Sequence, residues 1–246
     1  MKRIAIYCVT YHSDKERDLY LASVERAAKK AGDKVCVDTF IANNTDDDNP
    51  GYFGAIRRLM QEHDPSVYDY SIISNVDLTM EEDFLAKLAD YDCAEDTGWI
   101  APQIWSDLEK RDRNPRQTSR YTLGRLKILR LFYRIPLLDT LYTKTLYRRK
   151  QFVRSQPGTV YSGHGSFIIL TRKYIERCGR IDYPVFLFCE EIWLAEKCRQ
   201  AGLKVVYDPR MTIYDSEHVS TGRMNHRYYC RLNYDAVQYI IKTFYR

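Results

Sequence analysis

The sequence has no long apolar run. Its apolar runs, Phe167–Leu170 and Val185–Cys189 among them, fall far short of the ~20 residues that carry a helix across a bilayer. Glycine and proline are sparse, at 11 and 8 of 246 residues, which excludes a collagen-like or low-complexity chain. Seven cysteines are present, but no two have the C-x-x-C spacing of a zinc or dithiol motif. They read as reduced core thiols. G-x-G-x-x-G is absent after the first predicted strand, and so is G-x-x-x-x-G-K-[ST]. The dinucleotide-binding and P-loop readings lose their main support with them. The N-terminus reaches Thr10, Tyr11 and His12 too soon for a signal peptide, so a cytoplasmic protein is expected.

What is present is ordinary in bulk and uneven in detail. Hydrophobic residues make up 45% and charged residues 29%, as in soluble globular proteins. The length allows one to two domains and a core that needs no disulfides. Net charge is only +5, yet residues 110–154 hold fourteen basic side chains and two acidic ones, Asp112 and Asp139. That stretch carries +12 and leaves −7 for the rest of the chain. An anionic partner is expected against it.

Along the chain, strands and helices alternate. Arg3–Thr10 is a predicted buried strand. Ser13-Asp14-Lys15-Glu16 matches a capping box, and Tyr20, Val24, Ala27 and Ala31 follow at helical spacing. Lys34–Ile41 is a second strand. Gly51–Ala55 opens a helix to about Glu62, and Tyr70–Ser74 is a third strand ending in Asn75-Val76-Asp77. Thr79–Glu82 is a second capping box, and Trp99–Pro102 a short fourth strand. Tyr121–Tyr147 mixes apolar and basic residues at helical intervals, with Leu126, Leu129, Phe132 and Tyr133 on one face and Arg125, Lys127, Arg130 and Arg134 flanking it. Val160–Leu170 is a strand, Glu190-Glu191 begins a helix, and Leu203–Tyr207 and Met211–Tyr214 are strands parted by an Asp208-Pro209 turn. A tyrosine-rich helix runs from Arg223 to the end. The alternation implies an α/β fold with a mostly parallel sheet flanked by helices, a basic helical insert and a C-terminal helix. In such sheets ligands bind beyond the carboxyl ends of the strands. Those ends are polar here: Thr10-Tyr11-His12-Ser13, Asn43-Asn44-Thr45 and Asn75-Val76-Asp77.

The order of these features resembles the family 2 glycosyltransferases of the bacterial polysaccharide and O-antigen type, over about Ile4–Thr221. Ile41-Ala42-Asn43-Asn44-Thr45 is similar to the family's V-D-N-x-S, with Ala42 where the aspartate falls. Gly51-Tyr52-Phe53-Gly54-Ala55 resembles its next segment, and Asn75-Val76-Asp77 its D-x-D element in the N-x-D form. Gly165–Ile169 resembles the acceptor-side strand, Glu190-Glu191 the E-D dyad, and His218-Val219-Ser220-Thr221 the late H-x-x-[GS]-[ST] loop. The resemblance implies a GT-A-like, Rossmann-like fold in a single domain. Residues 1–109 would bind the nucleotide sugar, 110–154 form the basic amphipathic segment, 155–222 the acceptor and catalytic half, and 223–246 the C-terminal helix.

The implied enzyme is hexosyltransferase-like. It moves a sugar from a nucleotide donor, UDP- or dTDP-linked, to a glycan hydroxyl, with inversion. A nucleoside diphosphate leaves, and a hard cation, Mn2+ or Mg2+, offsets its charge through carboxylate oxygens. Asp77 and His218 are the implied metal ligands. Thr10, Tyr11, His12, Asn43, Asn44, Gly54, Asn75 and Asp77 are the implied donor contacts, and Ser13 either joins them or caps its helix. Glu191 is the implied base, helped by Glu190, and His164 and Gly165 touch the acceptor. Lipid-diphosphate-linked acceptors are common in the family. The basic segment then suits an anionic membrane surface, at the inner face of the cell membrane; nucleic acid is not expected there. Two rivals remain open at this stage. A sugar-nucleotide nucleotidyltransferase would carry a Gly-rich basic loop after the first strand, and a non-catalytic basic module would have no use for Asp77 or Glu191.

Overall fold

The computed structural model describes residues 1–45, 48–145, 155–216 and 224–245. Among them the strands are β1 (Lys2–Thr10), β2 (Val35–Asn43), β3 (Tyr70–Asn75), β4 (Leu78–Met80), β5 (Thr97–Ser106), β6 (Arg111–Asp112), β7 (Gly158–Val160), β8 (Phe167–Thr171) and β9 (Lys204–Asp215). The helices are α1 (Asp14–Ala31), α2 (Tyr52–Glu62), α3 (Phe84–Ala89), α4 (Leu123–Arg134), α5 (Pro136–Thr145), α6 (Arg172–Cys178), α7 (Glu190–Gln200) and α8 (His226–Phe244). No helix of the described residues is long and apolar enough to cross a membrane.

All strands join one sheet in the order β2-β1-β3-β8-β5-β9-β4, with β6 added on β5 and β7 on β9. The five long strands β1, β2, β3, β5 and β9 point the same way, and β8 runs against them between β3 and β5. The sheet is therefore mostly parallel, and its carboxyl ends gather on one edge. β1 explains the burial on both faces. Ala5, Tyr7 and Val9 enter one core with Phe53, Trp193 and Leu126. Ile4, Ile6 and Cys8 enter a second core with Tyr20, Val24 and Phe84. Side chains alternate across a strand, so a nearly unbroken apolar run fills both layers. Burying each large apolar side chain contributes about 1.5–3 kcal/mol.

Several expectations change in the structure. Neither capping box forms. The Ser13 hydroxyl donates to the Tyr11 carbonyl at 2.8 Å and caps no helix N–H. Thr79 lies in β4, opposite Tyr214, and the helix behind it begins only at Phe84. The α-helix caps that do form are Thr122, accepting from the Arg125 N–H, Thr171, accepting from Tyr174, and Asn225, accepting from Arg227 and Tyr228. The strand expected over Val160–Leu170 divides into β7 and β8. At Gly163 between them, a Cβ would sit 2.7 Å from the Trp99 ring and 2.8 Å from the Ala101 Cβ. Only glycine lets the backbone pass that close. Conversely, the two strands expected at 203–214 are one. Pro102 pairs with Asp208 and Gln103 with Thr212, so Pro209 to Met211 bulge out of a continuous β9. The short fourth strand is the ten-residue β5.

Within the stretch expected to be helical, the described residues form α4 and α5, but the apolar face is not free. Leu126 is fully buried, and Leu129 and Tyr133 pack on the same core. The exposed apolar residues are others: Ile128, Leu131, Ile135 and Leu137. Arg120 anchors the start of the segment. Its guanidinium forks onto the buried Glu196 carboxylate at 2.6 and 3.1 Å and donates to the Phe244 carbonyl at 3.1 Å. Tyr161 and Arg199 hold the same carboxylate, at 2.7 and 3.0 Å. Removing one partner of a buried charge leaves it incompletely solvated. Arg120→Ala is expected to lower the unfolding free energy by about 1–3 kcal/mol, because Tyr161 and Arg199 still bind Glu196. A urea titration checks this; an unchanged midpoint would show that the fork contributes nothing.

Candidate active site

A cavity of about 890 Å3 opens at the carboxyl edge of the sheet, a size suited to a small-molecule ligand. The ends of β1 and β3, the starts of α2 and α7, the chain before β8, the end of β9 and the inner faces of α4 and α8 all reach it.

One wall is built from Asn75, Asp77 and Asp215. β3 delivers Asn75, whose N–H donates to the Ser166 carbonyl at 2.9 Å. The antiparallel pairing of Leu78 with Asp215 then sets Asp77 beside the end of β9. Burial, and next to it the Asp215 carboxylate, raise the Asp77 pKa to about 6, while Asn75 and Arg113 work in the opposite direction. Asp215 is itself buried and accepts from Arg113 Nη1 at 2.6 Å. A half-buried carboxylate beside a buried one is a costly arrangement that a hard cation relieves. The oxygen donors fit a divalent metal, which Asp77 and Asp215 would hold. Arg111, Arg113 and Arg116 line the same cavity and suit a diphosphate.

A second group of lining residues begins at α7. Phe188 and Cys189 both adopt left-handed backbone, with φ of 74° and 62°. That bend turns the chain sharply into the helix at Glu190. The loop before it rests on Gly51, where a Cβ would fall 2.0 Å from the Phe186 carbonyl oxygen. Glu190 is almost fully buried and accepts the Phe188 N–H at 2.9 Å. Burial, then the charge of Glu191, raise its pKa to about 8. Glu191 is more open. Its Oε1 lies 3.5 Å from Arg116 Nε, and its Oε2 only 3.7 Å from where a Gly165 side chain would begin. His164 adjoins it. Its N–H donates to Asn114 Oδ1 at 2.6 Å, and its Nδ1 accepts the Ser166 N–H at 3.2 Å. Burial, reinforced by Arg116, Arg113 and Arg111, lowers the imidazole pKa to about 3. A neutral ring whose Nδ1 is an acceptor carries its proton on Nε2. Tyr121, Leu126, Leu129, Tyr133, Tyr228 and Tyr229 complete this side with an aromatic and apolar surface.

The structure therefore brings Tyr11, Ser13, Asn44, Asn75, Asp77, His164, Gly165, Glu190 and Glu191 to one cavity. Thr10, His12, Asn43 and Gly54 do not line it. Thr10 is buried and its carbonyl accepts the Asn44 N–H at 2.9 Å. Asn43 accepts the Thr45 N–H at 3.0 Å, and the His12 N–H donates to the Thr45 hydroxyl at 3.1 Å. These contacts tie the first two strand ends together. Gly54 faces Pro50 inside α2, where a Cβ would lie 3.0 Å from the proline ring. His218 lies outside the described residues. Sequence reasoning missed Asp215, Arg113 and Arg116. The signals were a carboxylate at a predicted strand end and the first arginines of the basic segment, which count as bulk charge until the fold turns them inward.

No protein-family model matches the chain, and no curated protein matches it in sequence. Solved structures do. GalNAc-T7 with UDP, GalNAc and Mn2+ aligns over 97% of this chain with a TM-score of 0.58 at 10% identity. TarS 1–349 from S. aureus aligns over 88% with a TM-score of 0.53 at 9% identity. The fold is the GT-A fold. A197 from STIV is similar over 87% of this chain, with a TM-score of 0.50 at 12% identity. The chain spans 50% of the GalNAc-T7 chain and 60% of the TarS chain, against 85% of A197. Within the GT-A fold, the cavity described above occupies the carboxyl edge where open α/β sheets take their ligands.

Proposed function

We propose that the protein is an inverting glycosyltransferase of the family 2 type that uses a UDP- or dTDP-linked donor. One observation carries the reading. The half-buried Asp77 with the buried Asp215, and the buried Glu190 with the more open Glu191, line one cavity. That is the division of labour sugar transfer needs: diphosphate at one end, acceptor hydroxyl at the other. Tyr11 and Asn75 would hold the nucleotide, and Arg111, Arg113 and Arg116 its phosphates. A divalent cation held by Asp77 and Asp215 would supply charge compensation for the leaving diphosphate. Glu191 accepts the proton of the acceptor hydroxyl as its oxygen bonds to the anomeric carbon. The bond from that carbon to the diphosphate breaks, and the electron pair leaves with the nucleotide. Glu190, protonated at neutral pH, donates a hydrogen bond to the acceptor, and His164 offers its Nε2–H. The aromatic wall fits the apolar faces of a glycan. GalNAc-T7, a structure with UDP and Mn2+, supports the nucleotide and metal assignments.

The test is a thermal-shift screen of nucleoside diphosphates and nucleotide sugars with Mn2+ or Mg2+. A ligand that binds only the folded state raises the apparent stability by mass action. A metal-dependent rise with UDP or dTDP is expected, followed by diphosphate release when an acceptor is added. No rise with any nucleotide would end the reading, and pyrophosphate release instead would favour a nucleotidyltransferase.

A lipid-linked acceptor, in cell-surface polysaccharide synthesis, belongs to the same reading. The exposed strip Ile128, Leu131, Ile135 and Leu137 is flanked by exposed Lys127 and Arg134, which suits an anionic bilayer surface. Leu131→Asp with Ile135→Asp is expected to leave the protein in the supernatant when anionic vesicles are sedimented at low salt. Turnover of a short soluble acceptor should not change. The electrostatic part must weaken with salt, as the screening length falls from ~10 Å at 0.1 M to ~3 Å at 1 M. A wild-type protein that ignores vesicles at low salt would remove the membrane from the proposal.

A further inference from the structure

Outside the cavity, one cluster of side chains has the chemistry of a metal site. His226 and Cys230 are one turn apart on α8, and both face Asp139 on α5. His226 Nε2 lies 2.9 Å from Asp139 Oδ2, and Cys230 Sγ lies 3.9 Å from that oxygen and 3.6 Å from the same nitrogen. A tetrahedral zinc has bonds of about 2.3 Å to sulfur and 2.0–2.2 Å to nitrogen and oxygen, which sets the edges between its ligands near 3.4–3.6 Å. The three observed separations bracket those edges. The largest adjustment required is a widening of roughly 0.5 Å in the His–Asp contact. We propose that Asp139, His226 and Cys230 form a zinc site that pins the basic insert to the C-terminal helix.

The burial supports the assignment. Cys230 and Asp139 are 1% and 9% exposed, and the thiol turns its proton toward the carboxylate at 3.9 Å. Zinc would replace that proton and turn the contact into shared coordination. The His226 side chain is 47% exposed, so the fourth position opens to water. Sulfur with imidazole selects zinc over Mg2+ or Mn2+, which prefer oxygen donors. The site is thus chemically separate from Asp77 and Asp215, and it does not depend on the proposed transfer reaction. It also explains why Asp139 interrupts so basic a segment. Its consequence lies next door. Tyr229 stacks on His226 with centroids 6.4 Å apart and meets Tyr133 edge-on at 6.2 Å. Both tyrosines line the cavity. Fixing α5 to α8 would fix that aromatic wall.

Co2+ titrated into chelator-treated full-length protein provides the test. A thiolate-to-cobalt charge-transfer band is expected to saturate at one equivalent and to vanish when Zn2+ is added. Excess Mg2+ should leave it unchanged, and so should Asp77→Ala. Cys230→Ser should abolish the band with circular dichroism unchanged. If that variant does not fold, His226→Gln must weaken cobalt binding at least roughly tenfold, since an outer-shell partner alone is typically worth 10–100-fold. No thiolate band in the wild type, an equal band in Cys230→Ser, or unaltered affinity in His226→Gln would each overturn the site.

Discussion

Glu191→Gln is expected to lower sugar transfer by roughly 10²–10⁴-fold, the usual worth of a general base, with little change in donor affinity. The two glutamates are adjacent in sequence but not in environment. Glu190 is 6% exposed and spends one oxygen on the Phe188 N–H. With its pKa raised to about 8, it carries a proton at pH 7 and cannot accept another. Glu191 is more open, with 18% of its side chain exposed, and looks across Gly165 into the cavity. Glutamine keeps the shape of either residue. Glu190→Gln resembles the protonated form already present, so its effect on turnover at pH 7 should be far smaller. Single-turnover release of the diphosphate separates the two. A dead Glu190→Gln beside an active Glu191→Gln would move the base by one residue.

The same asymmetry has a thermodynamic signature. In the unfolded chain Glu190 gives up its proton near its ordinary value of 4.5, whereas in the folded protein it keeps it to about 8. The folded state binds the extra proton between those limits, so this contribution is fully present below 4.5. It is lost progressively as pH rises to about 8. The urea midpoint of the wild type should fall across that window, and Glu190→Gln should flatten the fall. A wild-type curve with the same slope as the variant would show that Glu190 ionises freely in the fold.

Much of this architecture was legible in the residues because the buried strands announce themselves. Arg3–Thr10 and Tyr70–Ser74 are apolar on both faces, and the polar triplets at their ends mark where the sheet opens. Capping was not legible. Ser13 and Thr79 have the right residues at the right spacing, but a local carbonyl claims one hydroxyl and a strand pairing the other residue. The insert shows a further limit. Spacing placed Leu126, Leu129 and Tyr133 on one apolar face, but that this face packs into the core depends on α8. That helix lies about a hundred residues away and covers Leu126 rather than Leu131. The partner of Asp77 was hidden for the same reason. Asp215 is 138 residues distant in sequence and becomes a neighbour only because β4 pairs with β9.

That pairing underlies the second large effect. Asp77→Asn is expected to weaken metal-dependent diphosphate binding by more than the roughly 10–100-fold typical of losing an outer-shell partner, because a direct oxygen ligand is removed. Asp215→Asn should do the same. Neither variant should unfold the protein. Burial and Asp215 already raise the Asp77 pKa to about 6, so replacing Asp77 by an amide relieves repulsion, and Arg113 still covers Asp215 at 2.6 Å. The metal-free melting temperature of Asp77→Asn should therefore hold or rise, while the increase given by Mn2+ with UDP disappears. A purely structural carboxylate would behave in the opposite way, since its loss would lower the metal-free stability and leave ligand binding intact. Calorimetric titration of UDP in the presence and absence of Mn2+, on all three proteins, distinguishes the cases. Equal metal-dependent affinities would remove Asp77 and Asp215 from the site.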